Sequence, residues 1–551
     1  MMIAKVILLS AALVVGFLSQ AAGATAIHIR DHGAVGDGKT DDGPAVRRAL
    51  ATAIQGGPGA KLVFDQRTYR FGPYRGGSSQ IELTDVNGLT IEGNGANLLL
   101  HPQNGIFAIR RCHNILVRGF VIDFDPLPFS QGKIRAVRVD EGVFELELHD
   151  GYPLPPLDSI VKKRLGEGGW RWGTVIDPKE RHRRWGIPDH YRIASVDRIG
   201  GRIYRIKVTS SHKEGLEPVL PGDRFFLPLM LTEKGERAFG ENIAVRESAD
   251  CILEDITIYS ARSGMNYSIN RNEGLITLRN NTITFRPSSS RLCSTWKDGM
   301  HVKDNRVGPL IEGCHFDGML DDSINISANT AMAISIISPK VFRLMGPAFS
   351  AGDAVMVFDP QSGKTQITEV IEAKVEGKTH TVTLADSVEG VIVGRKQREH
   401  IKSTHFYNMS YINDRFIVRN CSFNPQRRHA MLVRSPNGII ENNTIDSVGG
   451  AAVWMGNEMG SFYEGPFPQN NIIRNNTIRN TQLTAIHIYT RALNRHARHT
   501  SKIRVQNNKI TVLPDRMAIS VRNAAEVELK SNRILDQTGA EIDSTGMILT
   551  E

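Results

Sequence analysis

A short repeat restricts this chain more than any other feature. It has two apolar residues, two polar or small ones, then apolar residues in alternation. Ten copies run from Leu89, beginning again at Leu116, Ile252, Ile276, Leu310, Ile417, Ile439, Ile472, Ile503 and Val527. Apolar residues at period two around a polar pair predict strand, turn, strand. Asn dominates the turn, as in Asn280-Asn281, Asn442-Asn443, Asn475-Asn476 and Asn507-Asn508. Asn tolerates left-handed dihedrals, and stacked Asn side chains can hydrogen-bond along a column. A unit this short cannot bury its own apolar face, so copies must stack. The expectation is an all-β chain built as a parallel β-helix, with spacings that leave room for loops.

A second motif threads between the copies. Gly264-Met265-Asn266-Tyr267, Gly299-Met300-His301-Val302, Ser323-Ile324-Asn325-Ile326 and Ala430-Met431-Leu432-Val433 are followed by Ala452-Val453-Trp454-Met455, Ala485-Ile486-His487-Ile488 and Ala518-Ile519-Ser520-Val521. Each begins with a small residue and alternates inward apolar with outward side chains. The expected outward column is Asn266, His301, Asn325, Leu432, Trp454, His487 and Ser520. Such a column suits either a solvated strand face or a sugar groove, where aromatic faces take C–H edges and amides or imidazoles take hydroxyls. Just before the small residues stand Ser263, Asp298, Asp322 and His429.

Asp298 and Asp322 lie 24 residues apart, about one coil, and Asp321 precedes Asp322. Stacked strands sit about 4.8 Å apart, so three carboxylates should crowd one patch. Crowding raises at least one pKa, leaving one acid protonated beside an ionised neighbour, the pair of states glycoside hydrolysis needs. Asp321 is offset along the strand by about 3.3 Å and should point away from Asp322. The diagonal pair Asp298–Asp321 is therefore expected to be the longer one, able to straddle a sugar.

Two stretches interrupt the repeats. Residues 133–236 and 328–402 carry short alternating runs, such as Val143–Leu148 and Val355–Val357, with Gly222-Asp223 and Gly352-Asp353 turns. Both are expected to be small antiparallel β-barrels inserted in loops. The resulting division is 1–24 leader, 25–132 cap and first coils, 133–236 barrel, 237–327 coils with the acids, 328–402 barrel, and 403–551 late coils. The first insertion holds Trp170, Trp172 and Trp185 among Arg171, Arg181, Arg183 and Arg184. That cluster suits contact with substrate or partner as well as it suits barrel packing. Near the start, Asp42 is expected to cap a short helix opening at Pro44, and the Asp41-Asp42 pair is read as structural.

The first 24 residues have the pattern of a secretory signal. Lys5 is their only charge, Val6 to Leu18 is apolar but too short to span a bilayer, and Ala22-Gly23-Ala24 fits a cleavage site. The expected location is secreted or periplasmic, with no membrane attachment after cleavage. The formal charge of +9 is scattered, with no basic block or reader motif for nucleic acid. Five cysteines at irregular spacing argue against a disulfide framework, and Cys314 and Cys421, at equivalent repeat positions, are expected to be buried thiols. No CxxC or HExxH metal signature is present, and no cofactor is expected.

Ile29 to Val46 resembles the N-terminal cap of secreted pectin-lyase-like proteins, whose helix covers the open end of the coil. Residues 27–550 as a whole resemble that superfamily of right-handed parallel β-helices. Within it, Asp298, the Asp321-Asp322 pair one coil on, and two inserted barrels resemble glycoside hydrolase family 110, the inverting exo-acting α-1,3-galactosidases. The resemblance implies Asp321 as general acid and Asp298 with Asp322 as base on a water. It implies an oligosaccharide or polysaccharide substrate with terminal α-galactose. The substrate-binding candidates are Trp296, His301, Asn325, His429, Arg434, Trp454 and Glu464; Glu464 sits in a loop and suits an ordinary loop acid equally. Family 28, the polygalacturonases, is the nearest rival, with His429 matching its third-coil His. However, Lys297 stands where that family has Thr, and Arg428-His429-Ala430 replaces its Gly-His-Gly. A non-catalytic carbohydrate-binding β-helix is the third alternative. No feature of the sequence sets the oligomeric state.

Overall fold

The computed structural model describes residues 25–550 except 168, 171, 178, 180, 181, 263, 395–401, 461 and 544–546. The leader and Arg171, Arg181 and Ser263 therefore lie outside the described residues. The chain is a right-handed parallel β-helix with two antiparallel barrels inserted. Each late coil contributes three short strands, as in Ile439–Glu441, Thr444–Asp446 and Val453–Met455. Each stacks in parallel register on its counterpart in the next coil: Ile440 on Ile473, Ile445 on Ile478, Val453 on Ile486. The inward positions form one continuous apolar column along the helix axis.

The two turn asparagines divide the work. The first, at Asn442, Asn475 and Asn507, takes φ of +56°, a left-handed conformation Asn adopts more readily than most residues. The second is buried and forms a ladder. Asn443 Nδ2 donates to Asn476 at 3.0 Å, Asn476 to Asn508 at 2.9 Å, and Asn508 to Asn532 at 2.9 Å. Each amide oxygen also accepts a backbone N–H of the preceding coil, as Asn476 Oδ1 does from Asn443 N at 3.0 Å. Asn476→Ala leaves those buried groups unpaired, so a loss of about 2–3 kcal/mol is expected, measurable by urea denaturation. An unchanged midpoint would show the ladder to be ornamental. Cys421 occupies a ladder position on its coil, its N–H donating to Asn443 Oδ1, and all five cysteines are buried and unpaired.

At the start, the helix Gly43–Gln55 buries Val46, Ala49, Leu50 and Ala53 against the first coil. Asp42 precedes it but does not cap it. Its carboxylate instead accepts the N–H groups of Val35 at 2.6 Å and Gly36 at 3.2 Å, holding the turn before the helix. Asp41 takes the first-turn N–H of Gly43 at 3.0 Å. Both acids are thus structural, in exchanged roles.

The first barrel orders its strands as Thr174–Ile176, Arg224–Pro228, Phe129–Arg138, Val143–Leu148, Ile203–Val208 and Ile193–Gly200. A bridge from Gly173 to Tyr191 draws its two ends together. The second closes fully through Ile324–Ser338, Val341–Met345, Thr379–Leu384, Lys364–Glu376, Ala354–Asp359 and His405–Asn408. Its first strand begins inside the β-helix, where Ile324–Ser327 pairs with Met300–Lys303, and continues outward into the barrel. The Trp/Arg cluster divides: Trp170 fills the first barrel's core, Trp185 stacks on His182, and Trp172 faces the β-helix.

Candidate active site

The strands carrying the second motif align in one parallel ladder. Its outward row reads Ser268, His301, Asn325, Leu432, Trp454, His487 and Ser520. Asn266 is not in it. That coil enters the ladder two residues later than the motif predicts, with Tyr267 opposite Met300. A slip of two preserves the in–out alternation, so pattern alone could not detect it. Asn266 is instead buried, accepting from Asn242 Nδ2.

Asp298, Asp322 and His429 each stand two residues before a strand opens, and stack on neighbouring coils. The Gly299 N–H donates to Asp322 O at 3.0 Å, and the Ser323 N–H to His429 O at 3.1 Å. One carboxyl oxygen from each of Asp298, Asp321 and Asp322 lies within 4.8 Å of the others. The diagonal pair is therefore not a long one: in the tight turn ahead of the strand, Asp321 does not follow strict strand alternation. Asp298 and Asp321 keep 13% and 22% of their side-chain exposure, so the patch is open to solvent.

The three carboxyls differ in surroundings. Asp322 accepts the His429 N–H at 2.9 Å. Asp321 has Arg427 Nη2 at 3.7 Å. Burial raises all three pKa values, and at Asp298 the two neighbouring carboxylates raise it further, well above the ordinary range. Arg427 opposes the rise at Asp321, and Arg428 and the His429 N–H oppose it at Asp322. Crowding is thus strongest at Asp298 and not at Asp321, the residue that the resemblance implies as general acid. His429 Nδ1 accepts the Ala451 N–H at 2.9 Å, and burial depresses its pKa to about 3. The ring is neutral, with its proton on Nε2. Burial likewise lowers His301 to about 3; its Nε2 lies 3.8 Å from Asp298.

At the other end of the same strands sits Glu464, buried and ion-paired with Lys303 Nζ at 2.6 Å and Arg434 Nη1 at 3.4 Å. Despite burial, Lys303 and Arg434 hold its pKa down at about 2. Glu464 and Gly465 pair with Asn329 and Ala328, which fixes the loop onto the strand leaving Asn325. Trp454 forms the aromatic wall, its ring 4.9 Å from His429 and 4.4 Å from His487, its Nε1–H bonded to the Tyr489 hydroxyl.

Asp298, Asp321, Asp322, His301, Asn325, His429, Arg434, Trp454 and Glu464 are therefore brought onto one face. Trp296 is the exception. It is 1% exposed, packed edge-on against Trp172 at 5.5 Å beneath the first barrel, and offers no open ring face. Three residues went unread in the sequence: Lys303, Arg427 and Asp189. Arg427 donates to Leu320 O and to Asp189 of the first barrel, each at 2.5 Å, and lies over the Trp172 ring at 4.9 Å. No local signal marks a partnership between residues 238 apart. Lys303 could have been found, since it lies two positions beyond His301 on the same outward face.

The family model "Right handed beta helix region" matches residues 362–534. Alpha-1,3-galactosidase B of Bacteroides thetaiotaomicron is 23% identical over 509 residues, covering 86% of this chain and 78% of that protein. Alpha-1,3-galactosidase A of Bacteroides fragilis is 24% identical, covering 72% and 64%. The B enzyme of Akkermansia muciniphila is 20% identical, covering 85% and 59%. The chain thus spans less than two thirds of the last two relatives. Among solved structures, the A-module of an Azotobacter vinelandii mannuronan C-5 epimerase overlaps with a TM-score of 0.38 at 10% identity, covering 95% of this chain and 99% of that one. The chain is a right-handed β-helix protein similar in sequence to these α-1,3-galactosidases.

Proposed function

We propose that this protein is an exported glycoside hydrolase, an exo-acting inverting α-1,3-galactosidase that removes terminal α-linked galactose from an oligosaccharide or polysaccharide. The observation that carries this is the carboxyl trio in a half-open patch, on a chain similar over most of its length to curated α-1,3-galactosidases. The resemblance assigns Asp321 as general acid and Asp298 with Asp322 as base. Arg427 supports that role by stabilising the carboxylate Asp321 becomes on donating its proton. One carboxyl oxygen of each acid lies within 4.8 Å of the others, closer than the about 6.5–9.5 Å between acid and base of an inverting pair, so inversion is carried here by the sequence similarity. In that reaction a water held by the base attacks C1 directly, without a covalent intermediate. The base ends protonated and Asp321 ionised, and the cycle resets when the base releases its proton to solvent and Asp321 regains one.

Against an acidic polysaccharide stands the pairing of the cations: Arg427 faces Asp189 and Asp321, and Lys303 and Arg434 share the carboxylate of Glu464. Against a simple binding module stands the clustering of like-charged buried acids, which hydrogen bonding to a neutral sugar does not require.

The test is hydrolysis of Gal-α-1,3-Gal followed at the anomeric proton by NMR. β-Galactose should appear first; α-galactose first would mean retention, and hydrolysis of oligogalacturonate in its place would favour the family 28 reading. EDTA should leave the rate unchanged, because Arg427, Arg428 and Lys297 already supply positive charge beside the trio. Loss with EDTA and recovery with Ca²⁺ would mean that the trio holds a cation. Export predicts that protein recovered outside the cytoplasm begins near Thr25, and an intact Met1 there would refute it.

A further inference from the structure

We propose that Lys303, Glu464 and Arg434 read the C3–C4 edge of the bound sugar and so select the galacto configuration; this rests on the galactosidase reading above. In a pyranose, C4 lies across the ring from C1. With C1 held at the trio, the far edge must meet whatever stands at the other end of the patch. Lys303, paired with Glu464 at 2.6 Å, stands two residues or about 6.6 Å along the strand from His301, whose Nε2 lies 3.8 Å from Asp298, so Glu464 is within one sugar's reach of the acids.

Its hydrogen bonding is incomplete in a way that suits adjacent hydroxyls. Arg434 is 3% exposed, yet its Nε and Nη1 have no hydrogen-bond partner, and Nη1 meets Glu464 Oε2 only as an ion pair at 3.4 Å. Buried donors left unmade are costly and rare. Lys303 spends donors on Glu464 Oε1 at 2.6 Å and Asn329 Oδ1 at 3.3 Å, which leaves one of its three. Glu464, held ionised, keeps lone pairs beyond those two cations. A hydroxyl that donates to Glu464 and accepts from Arg434 satisfies both sides at once. At C4, galactose and glucose differ only in the direction of that hydroxyl. A site built to bond a hydroxyl rejects an analogue lacking it by as much as about 10⁴-fold, because its buried polar groups are then left bare.

The experiment uses an aryl α-galactoside, its 4-deoxy analogue and the α-glucoside. Wild type should lose at least about 10³-fold in kcat/KM on either analogue. Glu464→Gln and Arg434→Met should lose a comparable factor on the galactoside but little more on the 4-deoxy compound. Strictly additive losses, with discrimination intact in the variants, would overturn the proposal. Should Glu464→Gln fail to fold, the charge-neutral pair Lys303→Met/Glu464→Gln takes its place. Calorimetry of wild type with galactose, 4-deoxygalactose and glucose reads the same selection without turnover, and equal affinities would overturn it. Hydrolysis without discrimination sinks this proposal alone. Discrimination in binding without hydrolysis sinks the galactosidase reading alone.

Discussion

Asp321→Asn is expected to lower kcat by at least about 10²-fold, and Asp298→Asn and Asp322→Asn each by a similar or larger factor, the usual scale for loss of a general acid or base. The proteins should remain folded. The acids stand in turns ahead of the strands, outside the apolar column that holds the coils together. Stability separates this prediction from simple damage. Asp298 ionises against burial and against Asp321 and Asp322, so its folded-state pKa is raised above the ordinary 3.8. The folded protein therefore keeps a proton that the unfolded chain releases, and the site loses stability as pH rises from 3.8 through the folded-state value. Asn carries no such penalty. Asp298→Asn should melt above wild type at pH 7, with the gap closing toward pH 3.8 and below. An inactive variant that also melts lower at pH 7 would point to a structural role for Asp298, and a variant with near wild-type turnover would remove it from the mechanism.

Arg427→Met should be the most disruptive change outside the trio. The guanidinium bonds Leu320 O, pairs with Asp189, faces Asp321 and lies over Trp172, so it joins the first barrel to the coil that carries Asp321. Breaking a buried ion pair from one side costs about 3–5 kcal/mol, because the partner charge is left uncompensated. Asp189 is about a third exposed, so the lower end, about 3 kcal/mol, is expected from denaturation. On activity, Arg427 is the chief influence lowering Asp321. Without it the Asp321 pKa rises, and the alkaline limb of the pH–rate profile, which reports the protonated acid, should move to higher pH. A rate loss of about 10²-fold at the optimum is expected from misplacement of the acid. An unmoved limb would separate Arg427 from the acid and leave it a packing role.

The coil was legible in residue pattern alone. Ten copies of an apolar pattern around an asparagine pair admit little but stacked strands, and both duties of those asparagines could be read from residue type. The same pattern also determined that Asp298 and Asp322 meet, because a separation of one coil brings them together whatever the loops do. What each acid experiences depends on contacts that only folding makes. Arg427 is held beside Asp321 by Leu320 O and by Asp189, which the first barrel supplies from 238 residues away. The loop at Glu464 lands on Asn329 through a strand pairing that no periodicity announces. The entry of Tyr267 two residues late is equally invisible, because both registers bury the same kind of side chain. Period fixes which residues share a face; proton affinity depends on fields summed over every charge that folding gathers, and most of those charges come from elsewhere in the chain.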